Sequence, residues 1–83
     1  MKLIILGREY CSGCLKLKDI LLTNNVEFNY VIDENEIQKY RKHFKFSYFP
    51  HILIVNENND IVESYEYSQI NTKMLIERFG KNG

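Results

Sequence analysis

Gly7-Arg8-Glu9-Tyr10-Cys11-Ser12-Gly13-Cys14-Leu15 separates the apolar run Leu3-Ile4-Ile5-Leu6 from a stretch, Leu15 to Thr23, that has the pattern of a helix. The two cysteines stand two residues apart where a predicted strand meets a predicted helix, which is the spacing of a redox dithiol. They are the only two cysteines in the 83 residues, so whatever sulfur chemistry the chain performs belongs to this stretch.

Outward from the cysteines, Lys2 to Leu6 suits a strand buried on both faces, in the middle of a sheet with helices packed on it. After Gly7 and the cysteines, Leu17, Ile20 and Leu21 fall on one helical face, with Lys16 and Lys18 on the other. Asn24-Asn25 is a helix stop, because asparagine tolerates the left-handed conformation found there. Val26, Phe28, Tyr30 and Ile32 alternate with Glu27, Asn29 and Val31 as a second strand.

Asp33, with Glu36 three residues on, has the form of a capping box, and Ile37, Tyr40 and Phe44 follow at helical spacing. Lys39, Arg41, Lys42 and Lys45 form the solvated side of that helix. Tyr48-Phe49-Pro50 precedes a third apolar strand, Ile52-Leu53-Ile54-Val55. Asn56-Glu57-Asn58-Asn59-Asp60 has turn composition, and Ile61 to Tyr67 completes a hairpin. Ser68 or Asn71 caps a last helix with Met74, Leu75 and Phe79 inward, and Lys81-Asn82-Gly83 is a frayed end. The expected order is β-α-β-α-β-β-α, in one domain over residues 1–83.

The length suits one small domain. Lysine plus arginine equal aspartate plus glutamate at 11 each, and no basic stripe of the kind that neutralises phosphate backbones is present. Nucleic acid is therefore not an expected partner. The first apolar run is shorter than a signal-peptide core, and no stretch approaches the roughly 20 apolar residues that span a bilayer. A soluble, cytoplasmic monomer with no membrane partner is expected. In a reducing compartment a single close cysteine pair is more often catalytic or metal-binding than a structural staple.

Disulfide exchange needs a thiolate. The first turn of a helix supplies unpaired N–H groups and the positive end of the dipole, which favour one, and Cys11 stands at that position. Cys14 lies one turn deeper on a similar face and is placed to attack the Cys11 sulfur once a mixed disulfide has formed. Gly13 is expected to let the backbone turn tightly between them. Arg8 either folds back to add positive charge or pairs with Glu9.

These residues and this order of elements together resemble the glutaredoxin family, small members of the thioredoxin fold, over nearly the whole chain. The likeness rests on the C-x-x-C opening a helix after the first strand, on Arg8 three positions before it, and on the lone proline, Pro50, before the third strand. It implies an α/β, thioredoxin-like fold with a four-stranded mixed sheet and three flanking helices, and a cis peptide at Pro50 facing the cysteines. The implied activity is thiol-disulfide oxidoreduction through Cys11 and Cys14, with no tightly bound cofactor. Glutathione or thioredoxin reductase is the implied electron source, and the implied substrates are small-molecule disulfides or a disulfide protein such as ribonucleotide reductase.

Arg8, Tyr10, Phe49, Pro50, Tyr67 and Ser68 are the substrate-binding positions so implied, with Tyr10, Tyr48 and Phe49 as an aromatic rim suited to a protein or peptide. Three positions depart from the family. Ser12-Gly13 stands where Pro-Tyr is common, Tyr48-Phe49 where Thr-Val is usual before the proline, and Tyr65-Glu66 where a Gly-Gly approaches glutathione.

Two other classes compete. One is an iron-sulfur or metal-binding module using the same C-x-x-C. Zinc wants four ligands, and only His43 and His51, eight apart, are there to join the cysteines; a cluster shared between two subunits is a variant of the same idea. The other is a binding module that kept the fold without turnover.

Overall fold

The computed structural model describes residues 1–43 and 48–80. Its elements are β1 (Lys2–Leu6), α1 (Ser12–Thr23), β2 (Asn29–Val31), α2 (Glu34–Arg41), β3 (His51–Val55), β4 (Ile61–Tyr65) and α3 (Thr72–Phe79), with a single 3-10 turn at Tyr67–Gln69 before the last helix. The predicted order holds. The strands form one mixed sheet in the order β2-β1-β3-β4, with β1 parallel to β2, and β3 antiparallel to both β1 and β4. The fold is the thioredoxin-like α/β arrangement of four strands and three helices.

The two continuous apolar runs become the two central strands because each has a core on both sides. Leu3 and Ile5 of β1, with Ile52 and Ile54 of β3, pack against Leu17 and Leu21 of α1 and Leu75 of α3. Ile4 and Leu6, with Leu53 and Val55, pack on the opposite face against Ile37 of α2. Successive side chains of a strand point to opposite faces, so an unbroken apolar run is what two cores demand. Each such side chain removed from water contributes about 1.5–3 kcal/mol before the cost of ordering it.

The ends of the helices follow the sequence closely. Asn24 closes α1 and Asn25 takes a left-handed φ of 57°. The Asp33 carboxylate accepts from the N–H groups of Asn35 at 2.8 Å and Glu36 at 3.3 Å. The box is only half closed, since Glu36 pairs with Lys39 instead of reaching back. Asn71 caps α3 by accepting from the Met74 N–H at 3.1 Å. Ser68 lies in the 3-10 turn, which is closed by Glu66 and Gln69.

Several expectations need correction. The second strand is shorter than the Val26 to Ile32 alternation suggested. Only Asn29–Val31 pair with Ile4–Leu6, while Val26 makes an isolated bridge to Gly80 and Ile32 is 42 % exposed. The fourth strand stops at Tyr65, not Tyr67, where the chain turns into the 3-10 segment. Ile20 is 40 % exposed, because Leu17 and Leu21, four apart, already take the core stripe. Lys18 is drawn in over the Tyr30 ring, 4.3 Å from its centroid. Phe44, Lys45 and the expected frayed end at 81–83 lie outside the described residues. No helix among the described residues is long and apolar enough to cross a membrane.

Candidate active site

Cys11 is the N-cap of α1, in extended backbone conformation, and its sulfur accepts a hydrogen bond from the Cys14 N–H at 3.2 Å. Donors at a helix start have no partner within the helix, so the sulfur fills the place that a serine or aspartate oxygen takes elsewhere. Its Sγ is also 3.8 Å from the Phe49 carbonyl oxygen. Cys11 is partly exposed and Cys14 fully buried, and both are free thiols.

Burial pushes the Cys14 thiol up, as does its hydrogen bond with Cys11, while the Arg8 backbone and the Tyr30 hydroxyl pull it down. The sequence placed Cys14 deeper than Cys11 from helix geometry alone, and the burial agrees with that.

Sheet register brings Pro50 to the cysteines. Leu6, at the end of β1, is opposite His51 at the start of β3, so the residues just after one strand adjoin those just before the other. The Phe49–Pro50 peptide is cis and Pro50 is buried. A Cβ built on Gly13 would stand 3.5 Å from Pro50 Cδ and 3.1 Å from Tyr67 Cε2. This corrects the expected role of Gly13. It has no left-handed φ, and what it supplies is room for the proline and the Tyr67 ring to close on the helix.

Arg8 turns to an aromatic partner. Its guanidinium lies 4.7 Å from the centroid of Phe49, and Arg41 of α2 approaches the same ring at 5.9 Å. Phe49 itself packs against the α2-side core, so it is the floor of the expected aromatic rim. The rim proper is Tyr10 and Tyr48, which are 93 % and 76 % exposed.

Tyr67, also exposed, divides two shallow clefts. One, of about 260 Å³, is lined by Gly13, Leu17, Ile20, Pro50, Tyr67 and Ile70. The other, of about 410 Å³, is lined by Tyr48, Phe49, Glu66, Tyr67 and Ser68. The expected substrate positions Phe49, Pro50, Tyr67 and Ser68 thus surround adjoining hollows.

His51 is buried at the head of β3, with Nε2 2.7 Å from Ser64 Oγ, and burial holds its pKa below the usual histidine range. His43 is exposed beyond the end of α2. Among the described residues, no three His, Cys, Asp or Glu side chains are grouped to hold a metal ion.

Sequence reasoning missed Tyr30 as a residue of the site, whereas Glu66, noted as a departure from the family's Gly-Gly, does line the second cleft. Tyr30 read as one more member of an alternating strand. Its only sequence signal is Gly7, a residue without a side chain, just past the end of the neighbouring parallel strand, where the ring lies. Set beside known proteins, the chain matches no family model and shows no significant similarity to a curated protein or a solved structure, which leaves the geometry of this site as the ground for its function.

Proposed function

We propose that the protein is a glutaredoxin-like thiol-disulfide oxidoreductase of the cytoplasm, with Cys11 as nucleophile and Cys14 as resolving thiol. The observation that carries this is the unequal placing of the two sulfurs. Cys11 is reachable and held at a helix start beside the Phe49 carbonyl, whereas Cys14 is one turn deeper and sealed. A pair so arranged reacts in a fixed order.

The Cys11 thiolate attacks one sulfur of the substrate disulfide, forming a mixed disulfide and releasing the first substrate thiol. Cys14 then loses its proton and attacks Cys11 Sγ, the bond from Cys11 to the substrate breaks, and the second thiol leaves with a proton. Two electrons pass from the protein dithiol to the substrate, leaving Cys11 and Cys14 joined. Exposed Tyr10, Tyr48 and Tyr67 around the reachable sulfur support a protein or peptide disulfide as substrate, since such rings supply contact area at little entropic cost.

The oxidised protein must be reduced by glutathione or by thioredoxin reductase. The Glu66 carboxylate in the second cleft and the Tyr67 ring against Gly13 both work against seating an anionic tripeptide there, which favours the reductase. The test is NADPH-coupled disulfide reduction with glutathione and glutathione reductase, repeated with thioredoxin reductase, with the ribonucleotide reductase disulfide among the substrates. Turnover with either donor that vanishes in Cys11→Ser supports the proposal, and the productive donor identifies the route. Absence of turnover with both, together with no Cys11–Cys14 disulfide in oxidised protein by mass spectrometry, would overturn it.

A further inference from the structure

Tyr30 of β2 carries a hydroxyl that the two-thiol scheme leaves unused. That hydroxyl donates to the Arg8 carbonyl at 2.9 Å. The ring occupies the space a side chain on Gly7 would need, since a Cβ there would come within 2.6 Å of the hydroxyl and 2.7 Å of Cε1. On another side the Lys18 ammonium stands 4.3 Å from the ring centroid. The phenol is thus held between β1 and α1, with its ring under Lys18, one helical turn beyond Cys14, and its oxygen at Arg8, just before the cysteines, and across that gap Tyr30 and Cys14 each shift the other's ionisation.

We propose that Tyr30 is a positioning residue for the resolving step, its hydroxyl turning from the Arg8 carbonyl to the Cys14 sulfur as that thiol gives up its proton. The inference rests on the dithiol function proposed above. A buried thiolate without donors is costly, and a phenol that keeps its own proton is a suitable donor. Tyr30 does keep it, because burial and the neighbouring Cys14 push its ionisation up and away from neutral pH.

In the step itself, Cys14 sulfur attacks Cys11 Sγ and the substrate sulfur departs. The proton lost by Cys14 ends on that departing thiolate, directly or through solvent. Tyr30 neither gains nor loses a proton, and its hydroxyl returns to the Arg8 carbonyl once the Cys11–Cys14 disulfide has removed the negative charge.

The charged and titratable groups around the Cys14 sulfur are Cys11 on its own helix and Tyr30 from β2, with Lys18 over the phenol. Arg8 lends its backbone while its guanidinium lies on Phe49, and His51 of β3 is bonded to Ser64. Tyr30→Phe therefore removes one oxygen and leaves the charges in place.

The experiment is stopped-flow reaction of the reduced protein with dithiobis-nitrobenzoate between about pH 6 and pH 10, a range that brackets an ordinary thiol. The first release of chromophore reports Cys11 attack and the second reports resolution by Cys14, which Cys14→Ser abolishes. In Tyr30→Phe the first phase should be unchanged. The second should slow on the order of tenfold at neutral pH, with its pH midpoint moved up by about a unit and the wild-type rate regained at high pH, as expected for loss of one bond to a charged group.

An unchanged second phase would overturn the proposal, and so would a drop equal at every pH with the midpoint unmoved, which would assign Tyr30 a packing role only. A wild-type protein with no second phase fails differently: it removes the dithiol function, and the role of Tyr30 with it.

Discussion

Replacing Gly13 with alanine adds one methyl group at the second helical position of α1, and the structure sets what that group meets. The new Cβ would lie 3.5 Å from Pro50 Cδ and 3.1 Å from Tyr67 Cε2. Carbon atoms pack at about 3.5–4.0 Å, so the proline contact is ordinary and the tyrosine contact is short by roughly half an ångström. Tyr67 is 55 % exposed and sits in a three-residue turn, so its ring can swing outward while the helix stays put.

Against that small loss, alanine gives up less chain entropy than glycine. The gain is about 0.5–1 kcal/mol in a helix interior and nearer the lower figure in a first turn. The expected net effect is a stabilisation of about 0–0.5 kcal/mol, or a rise in Tm of no more than about 4 °C for a domain of this size.

Function should move the other way. The displaced ring no longer divides the clefts beside Cys11, so KM for a protein disulfide rises while the rate with a small aliphatic disulfide holds. Urea denaturation and coupled turnover measure the two halves. A destabilisation above about 1 kcal/mol would show that the Tyr67 ring is clamped in place, and an unchanged KM would remove it from the substrate surface.

Asp33→Ala strips the acceptor from two N–H groups at the start of α2 and should cost about 1 kcal/mol, seen as a Tm lower by roughly 4–8 °C. His51 is kept neutral by burial, so its folded pKa lies below the unfolded value of 6.5 and the unfolded chain binds more protons as pH falls. Stability should therefore decline as pH drops below about 6.5, and in His51→Gln that part of the slope should flatten in denaturation curves. Glu63 is held down to about 2 by the two-point contact with the Arg78 guanidinium and by the Tyr65 hydroxyl. Its stabilising share is complete above the unfolded carboxylate pKa and is lost as pH falls toward the folded one. Arg78→Ala should accordingly raise the acid-unfolding midpoint followed by circular dichroism.

The strands and the dithiol were legible because each carries its own signature. Leu3 to Leu6 and Ile52 to Val55 are apolar at every step, as a strand between two layers requires, and Cys11 and Cys14 stand two residues apart where the first strand gives way to a helix. Asn25, Asp33 and Asn71 were legible as ends because their side chains or backbone preferences act locally. What failed depended on partners distant in sequence. Ile20 has the right helical phase for burial, yet Leu17 and Leu21 fill the seam and leave it at the edge of a cleft. The second strand pairs with β1 only over Asn29–Val31, because Val26 is drawn instead to a bridge with Gly80 and Ile32 lies past the end of β1. The approach of Tyr30 to Gly7 and Arg8, and of Tyr67 to Gly13, arises from sheet register and a turn, neither of which a single stretch encodes.

Register also explains why one end of the sheet holds the whole site. Because β1 runs parallel to β2 and antiparallel to β3, and β4 runs antiparallel to β3, the last residues of β1, β2 and β4 meet the first of β3. Gly7 and Arg8, Tyr30, Phe49 and Pro50, and Tyr67 converge there on the start of α1. Along that helix Cys14, Leu17 and Leu21 are the buried positions, spaced as one stripe, while Cys11 caps the helix beyond the sheet's end. Cys14, the proposed resolving thiol, is therefore the first core residue of α1, and the same packing that docks the helix keeps it from solvent. Exposure of the Cys11 sulfur and burial of Cys14 are two consequences of where one helix begins.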